Sequence, residues 1–197
     1  MKILDYSSKY EDSWIRCRTL SFLYTQYYDD VLQTKPKIDG IELICVENNQ
    51  VIGLLDIEIK NAYCSYDKYH KGAMIETIAV HPDHQSKGIG QKLLEVAEER
   101  LKLEGIEYLE AWTREDDASN QWYIKNGFSQ FNSYFHVFTS GDIKTSNPHV
   151  HPIFTFGHVT DRKQIDETGV DRIYECRGYV KKFMYTELKI NLRKSVV

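Results

Sequence analysis

At 197 residues the chain can bury one substantial core, and it reads as a single domain over residues 1–197. Hydrophobic residues make up 42% and charged residues 27%, an ordinary balance for a soluble globular protein. The net charge of −4 gives no general polyanion-binding surface, so nucleic acid is not an expected partner.

Residues 2–6 suit a short first strand and lack the long apolar segment of a signal peptide. No apolar run approaches the ~18 residues of a membrane span, so no membrane association is expected. Cys17, Cys45, Cys64 and Cys176 are scattered without a C-x-x-C pair, which suits a reducing cytoplasm and thiols acting as small core hydrophobes. From Tyr10 to about Leu32 the sequence reads as helical. Trp14, Ile15, Cys17, Leu20 and Tyr24 follow helical spacing, and Pro36 breaks the pattern. Ile41–Val46 and Val51–Ile59 read as strands joined by Glu47-Asn48-Asn49-Gln50, a turn that tolerates positive φ. Leu55, Ile57 and Ile59 alternate with Asp56 and Glu58, which predicts a sheet with one wetter face. Residues 61–72 read as a loop.

The chain is organised around Val80-His81-Pro82-Asp83-His84-Gln85-Ser86-Lys87-Gly88-Ile89-Gly90-Gln91. Before it, Met74–Val80 is an apolar run suited to a buried strand. After it, Ile89, Leu93, Leu94, Ala97 and Leu101 recur with helical period, and Gly105 stands at the C-cap. A strand, a glycine-bearing turn and a helix leave backbone N–H groups unpaired at the helix start, where the dipole is positive and an anion fits. A P-loop needs Lys-Ser or Lys-Thr after its last glycine, but Gln91-Lys92 follows here. A dinucleotide fingerprint needs a third glycine where Leu93 stands.

The spacing Gln85-x-x-Gly88-x-Gly90, after Ile78-Ala79-Val80-His81-Pro82, resembles the acyl-CoA motif of the GNAT superfamily of N-acyltransferases. The resemblance runs from about residue 40 to 138. Its second hallmark is Tyr123-Ile124-Lys125-Asn126-Gly127-Phe128, on a helix starting near Asp116 or Asp117 and ending at Gly127. The family's usual Asn stands seven residues before the Tyr, where this chain has Asp116; its own is Asn120, three before.

The implied fold is α/β: a mixed, mostly antiparallel sheet with helices on both faces and a splayed parallel pair holding the CoA arm. Ile106–Trp112 would be the second strand of that pair. Phe128–Phe138 and Arg172–Phe183 read as the last two strands, with a turn-rich insertion at about 139–172 carrying His149, His151 and His158. No Cys or spaced carboxylate joins these histidines, and no metal site is expected.

The resemblance implies transfer of the acetyl group of acetyl-CoA, the co-substrate, directly to an amine of a small molecule, protein or peptide in a ternary complex. Ile78, Ala79, Val80, Gln85, Ser86, Lys87, Gly88, Ile89, Gly90, Gln91, Asn120 and Tyr123 would bind acetyl-CoA, and Tyr123 would face the thioester sulfur. Tyr27-Tyr28-Asp29-Asp30 would wall the acceptor. An ammonium of pKa near ~10 must lose a proton before it attacks, so a base is useful. Glu76 is the first candidate and Glu110 the second. A backbone N–H near Ile78–Val80 would polarise the carbonyl. The alternatives are a non-catalytic acyl-CoA-binding or sensing module and an interaction protein using the aromatic stretch at 10–32. The acceptor's identity and homodimer formation are left open by the sequence.

Overall fold

The computed structural model describes residues 1–59, 62, 64–140, 147, 149 and 153–183. Its strands are β1 (Lys2–Asp5), β2 (Gly40–Glu47), β3 (Gln50–Glu58), β4 (Gly72–Val80), β5 (Tyr108–Arg114), β6 (Ser129–Thr139), β7 (Thr155–Val159) and β8 (Val170–Lys182). The α-helices are α1 (Glu11–Phe22), α2 (Ile89–Leu103) and α3 (Asp117–Lys125). All eight strands form one sheet in the order β1-β2-β3-β4-β5-β8-β6-β7. Every described pairing is antiparallel except β4 with β5.

Side-chain alternation along the strands buries apolar side chains on both faces of the sheet. Leu43, Leu55, Ile57 and Ile75 pack against the buried stripe Leu93, Leu94, Ala97 and Leu101 of α2. Ile44, Leu54 and Ala79, on the opposite face, pack against Trp14 and Cys17 of α1. Leu93 and Leu101 are wholly buried, and burial of one such side chain stabilises by about 1.5–3 kcal/mol. The β2–β3 turn is the expected one, with Asn48 and Asn49 at φ 48° and 62°. Gly105 and Gly127, expected to end helices, sit in the left-handed region at φ 74° and 84°.

Three expectations need correction. The first helix ends at Phe22, not near Leu32. Thr25 Oγ1 bonds both Phe22 O and Tyr27 N, so a local side-chain turn replaces the helical ladder there. Tyr24, placed on the apolar stripe, is 88% exposed. The polar face of β3 is also dry: Asp56 and Glu58 are buried, because α1 and the loop after it cover them. Finally, the 139–172 insertion is not all loop. It contributes β7, which extends the sheet outside β6, while β8 returns between β5 and β6. His151 lies outside the described residues.

Candidate active site

The parallel pair β4–β5 opens partway along its length. Pairing runs from Gly72↔Tyr108 to Ile75↔Ala111 and stops there, although β4 continues to Val80 and β5 to Arg114. The cause lies on the other edge of β4. Thr77 pairs with Asp56 and Ile75 with Ile57, so Glu76 is an extra residue that bulges the strand. A bulge bends its strand and sharpens the twist, which turns the end of β4 away from β5. Beyond it, His81 N–H bonds Ile52 O at 3.0 Å. N–H directions alternate along a strand, so those of Ile78 and Val80 point away from β3, into the gap.

The gap leads to the start of α2. After Val80 the chain makes a 3₁₀ turn at Pro82–His84 and then passes Ser86 and Gly88 at φ 59° and 75°. Gln85 Nε2 donates to Val80 O at 3.2 Å, and Lys87 Nζ to Asp83 O at 2.9 Å. These bonds fold the loop back on itself. Gly88 is the N-cap and has no side chain to cap with, and the first turn of α2 holds no acidic residue. Lys92 N–H bonds Gly88 O at 3.1 Å, while the preceding N–H groups have no partner within the helix, as at any helix start. A Cβ on Gly88 would meet nothing within 4 Å. Space, uncapped donors and a positive dipole end together suit a pyrophosphate. Trp122 lies against Gly90: a Cβ there would stand 3.5 Å from the indole.

The expected catalytic residues occupy very different surroundings. Tyr123 is 5% exposed, stacked on Tyr179 with ring centroids 5.3 Å apart and edge-on to Phe128. Burial, with lesser contributions from Tyr27 and Tyr179, pushes its phenol above the usual tyrosine range. Asn120 is committed to protein partners. Its Nδ2 donates to Arg114 O at 2.9 Å and Asp116 O at 2.6 Å, and its Oδ1 accepts from Tyr179 Oη at 2.6 Å. It thus anchors the ring on which Tyr123 lies. Glu76 is open to solvent, yet enough protein surrounds its carboxyl for desolvation, then Glu58, to raise its pKa.

Glu110 is wholly buried. Its carboxylate accepts from Ser65 N and Oγ, Tyr66 N and Trp112 Nε1, at 2.7 to 3.1 Å. These bonds hold the loop before β4 in place.

Sequence reasoning missed Arg114 and the full part played by Tyr27. Tyr27 Oη accepts from Arg114 N at 2.9 Å, and the Arg114 guanidinium lies 4.5 Å from the Tyr27 ring. The turn after α1 is thereby fastened to the end of β5. No motif marks that contact, since 87 residues separate the partners. A second omission is Lys35, whose buried ammonium bonds Glu42 and lies 3.1 Å from Asp56 Oδ2. Desolvation outweighs Lys35 and holds the Asp56 carboxyl at about 7.

A mostly antiparallel sheet whose single described parallel pair splays toward an uncapped helix start defines the GNAT acyltransferase fold. Residues 7–128 match the Acetyltransferase (GNAT) family, and the chain belongs to that family. It is 28% identical over 74 residues to the tRNA(Met) cytidine acetyltransferase TmcA of Thermococcus sp. (strain AM4); the match covers 38% of this chain and 9% of that protein. The match therefore spans under a tenth of that curated relative's length. In fold it is similar to the ribosomal-protein-S18-alanine N-acetyltransferase of Escherichia coli, with TM-score 0.58 and 14% identity over 95% of this chain and 97% of that one. It is likewise similar to the PaiA N-acetyltransferase of Thermoplasma acidophilum in complex with coenzyme A, with TM-score 0.55 and 15% identity over 92% and 98% of the two chains. Among the described residues no His/Cys/Asp/Glu group is arranged to hold a metal, and no helix is long and apolar enough to cross a membrane.

Proposed function

We propose that this chain transfers the acetyl group of acetyl-CoA directly to an amine in a ternary complex, as one acyltransferase unit with the 139–172 insertion built onto its sheet. The observation that carries the reading is the gap that opens between β4 and β5 beyond Ile75 and Ala111, with the uncapped start of α2 following the end of β4. In this reading the Gln85–Gln91 loop holds the pyrophosphate, and the edge of Ile78, Ala79 and Val80 holds the pantetheine arm. The N–H groups facing the gap stabilise the carbonyl oxygen as negative charge builds on it. Glu76, with its raised pKa, takes the ammonium proton directly or through water. Tyr123 donates a hydrogen bond to the departing sulfur, and Asn120 acts through Tyr179.

Direct transfer is favoured over an acyl-enzyme by the state of the thiols. All four cysteines are buried and unpaired. Desolvation pushes Cys17 up to about 12 and Cys64 and Cys176 up to about 11, and it raises Cys45. None is a thiolate near neutral pH, and the thiolate is the nucleophile.

The test is CoA-thiol release from acetyl-CoA, with and without a panel of small amines and peptide N-termini, and mass detection of the acetylated product. Amine-dependent release with intersecting initial-velocity lines is expected. Release that ignores the amine, parallel lines indicating an acyl-enzyme, or the absence of turnover with any amine would overturn the proposal.

A further inference from the structure

The face of the sheet that carries α1 over β3 and β4 continues past the gap onto β8, β6 and β7. Arg114 leads onto it, followed by Cys176, Tyr174 and Arg172 of β8 and by their cross-strand neighbours His136 and Phe138 of β6. This floor is aromatic and carries two guanidinium groups. Arg114 lies 5.1 Å from the Tyr174 ring and 5.7 Å from Phe138; Arg172 lies 4.3 Å from Phe138 and 5.9 Å from Tyr174. Both cations therefore overlook the same two rings.

Their charges are not balanced. Asp29 is the single carboxylate within ion-pair distance of either among the described residues, 3.7 Å from Arg114 Nη1 and 3.4 Å from Arg172 Nη2. Among the described residues, two guanidinium groups thus share one carboxylate within ion-pair distance, a surplus of one positive charge. The Arg114 side chain is only 8% exposed, and its Nε is buried without a hydrogen-bond partner. Gln26, whose backbone carbonyl accepts from Arg114 Nη1, has its own buried and unpartnered Oε1. Buried polar groups left unpaired are costly and rare; a carboxylate oxygen would supply the acceptor that Arg114 Nε lacks, whereas Gln26 Oε1, itself an acceptor, calls for a donor. Nearby His136 responds to the same field: desolvation first, then Arg114 and His158, push it down to about 4, so it adds no positive charge of its own near neutral pH.

The location ties this excess charge to the reaction. Arg114 ends β5 at the mouth of the gap; its N–H bonds Tyr27 Oη and its carbonyl accepts from Asn120. An acceptor entering the gap from the α1 face passes the two guanidinium groups. Resting on the acetyltransferase reading above, we infer that the acceptor amine carries a carboxylate, seated by Arg114 and Arg172 over the Phe138–Tyr174 floor. A monoanion matches the surplus of one charge, whereas a phosphate monoester, at −1.5 to −2, would exceed it. The planar fork of arginine suits a carboxylate held in two-point contact.

The probes are the common L-amino acids and the aminobenzoates, each paired with its methyl ester, which keeps the amine and removes the charge. For at least one pair, kcat/KM should favour the acid by about tenfold or more. Arg172→Gln should erase that preference by raising KM for the acid about tenfold, leaving KM for the ester and for acetyl-CoA within about twofold. A merely structural role for Arg172 would move acid and ester together. Equal or better turnover of the esters, an unchanged preference in Arg172→Gln, or acetylation confined to uncharged amines or peptide N-termini would overturn the inference while leaving the acetyltransferase reading intact. No acetylation of any amine in the wider panel would overturn both.

Discussion

Replacing Tyr123 by Phe removes one oxygen and leaves the ring in its stack on Tyr179 and its edge contact with Phe128. No described protein group hydrogen-bonds that hydroxyl, so the fold should lose less than about 1 kcal/mol. The chemistry should lose more. From reference values, full proton transfer from a phenol near ~10 to a thiolate whose thiol is near ~8.5 is uphill by about 1.5 units, or roughly 2 kcal/mol. Burial raises the Tyr123 phenol further and makes full transfer still less favourable. What remains is a hydrogen bond to the charge developing on sulfur, worth about 1.5–3 kcal/mol, or roughly 10- to 150-fold in kcat. The assay is steady-state acetyl transfer with the acetyl-CoA dissociation constant measured in parallel; kcat should fall in that range while affinity changes less than about threefold. An acyl donor with a more acidic thiol needs less help and should lose less. Because its pKa is raised, Tyr123 stays protonated through the assay range and adds no alkaline limb below about pH 10. An unchanged kcat, or equal losses with both donors, would refute the assignment.

Glu76→Gln should lower kcat/KM by roughly 10²-fold. In the parent the rate should fall as pH drops through the Glu76 pKa, which burial and Glu58 hold above the usual carboxylate value; an acidic limb that survives in the variant would assign the proton to water. Gly90→Val should weaken CoA binding at least about tenfold, or roughly 1.4 kcal/mol. A Cβ at Gly90 makes only ordinary contact with Trp122, so circular dichroism should show the fold intact, and unchanged affinity by calorimetry would remove the loop from pyrophosphate binding. Asp56 tests linkage: its folded pKa of about 7 lies above the unfolded value near ~3.9, so its contribution to stability is full below about pH 4 and lost as pH rises through about 7. Asp56→Asn should flatten that part of the stability curve in urea titrations, and a slope equal to the parent's would show that other groups carry it.

Much of the site was legible because its parts are local. The strand Met74–Val80, the turn with Gly88 in the left-handed region, the α2 stripe and the Asp116-to-Gly127 helix each lie within a few residues of the signals that produce them. Periodicity, caps and glycine conformation act over that range, so the turn into α2 and the helix that carries Tyr123 follow from sequence alone. The hairpin turn at Asn48-Asn49 followed in the same way.

What depended on distant contacts was not legible. Glu76 and Glu110 are both strand carboxylates in the sequence. Only the fold distinguishes them, by bulging the first outward and closing Ser65, Tyr66 and Trp112 around the second. The helix expected to reach Leu32 ends at Phe22 because the turn beyond it bonds to itself and, through Tyr27, to Arg114. Asn120 carries a family-like label, yet its side chain spans three protein groups that only the packed sheet brings within reach. The arginine-bearing aromatic floor draws residues from β5, β6 and β8 onto one face, and β8 reaches its place between β5 and β6 only after the insertion has added β7 outside β6. Sequence periodicity determines which side chains a strand presents to each face; which strands lie side by side, and so which charges share a surface, is decided by the global pairing of the sheet.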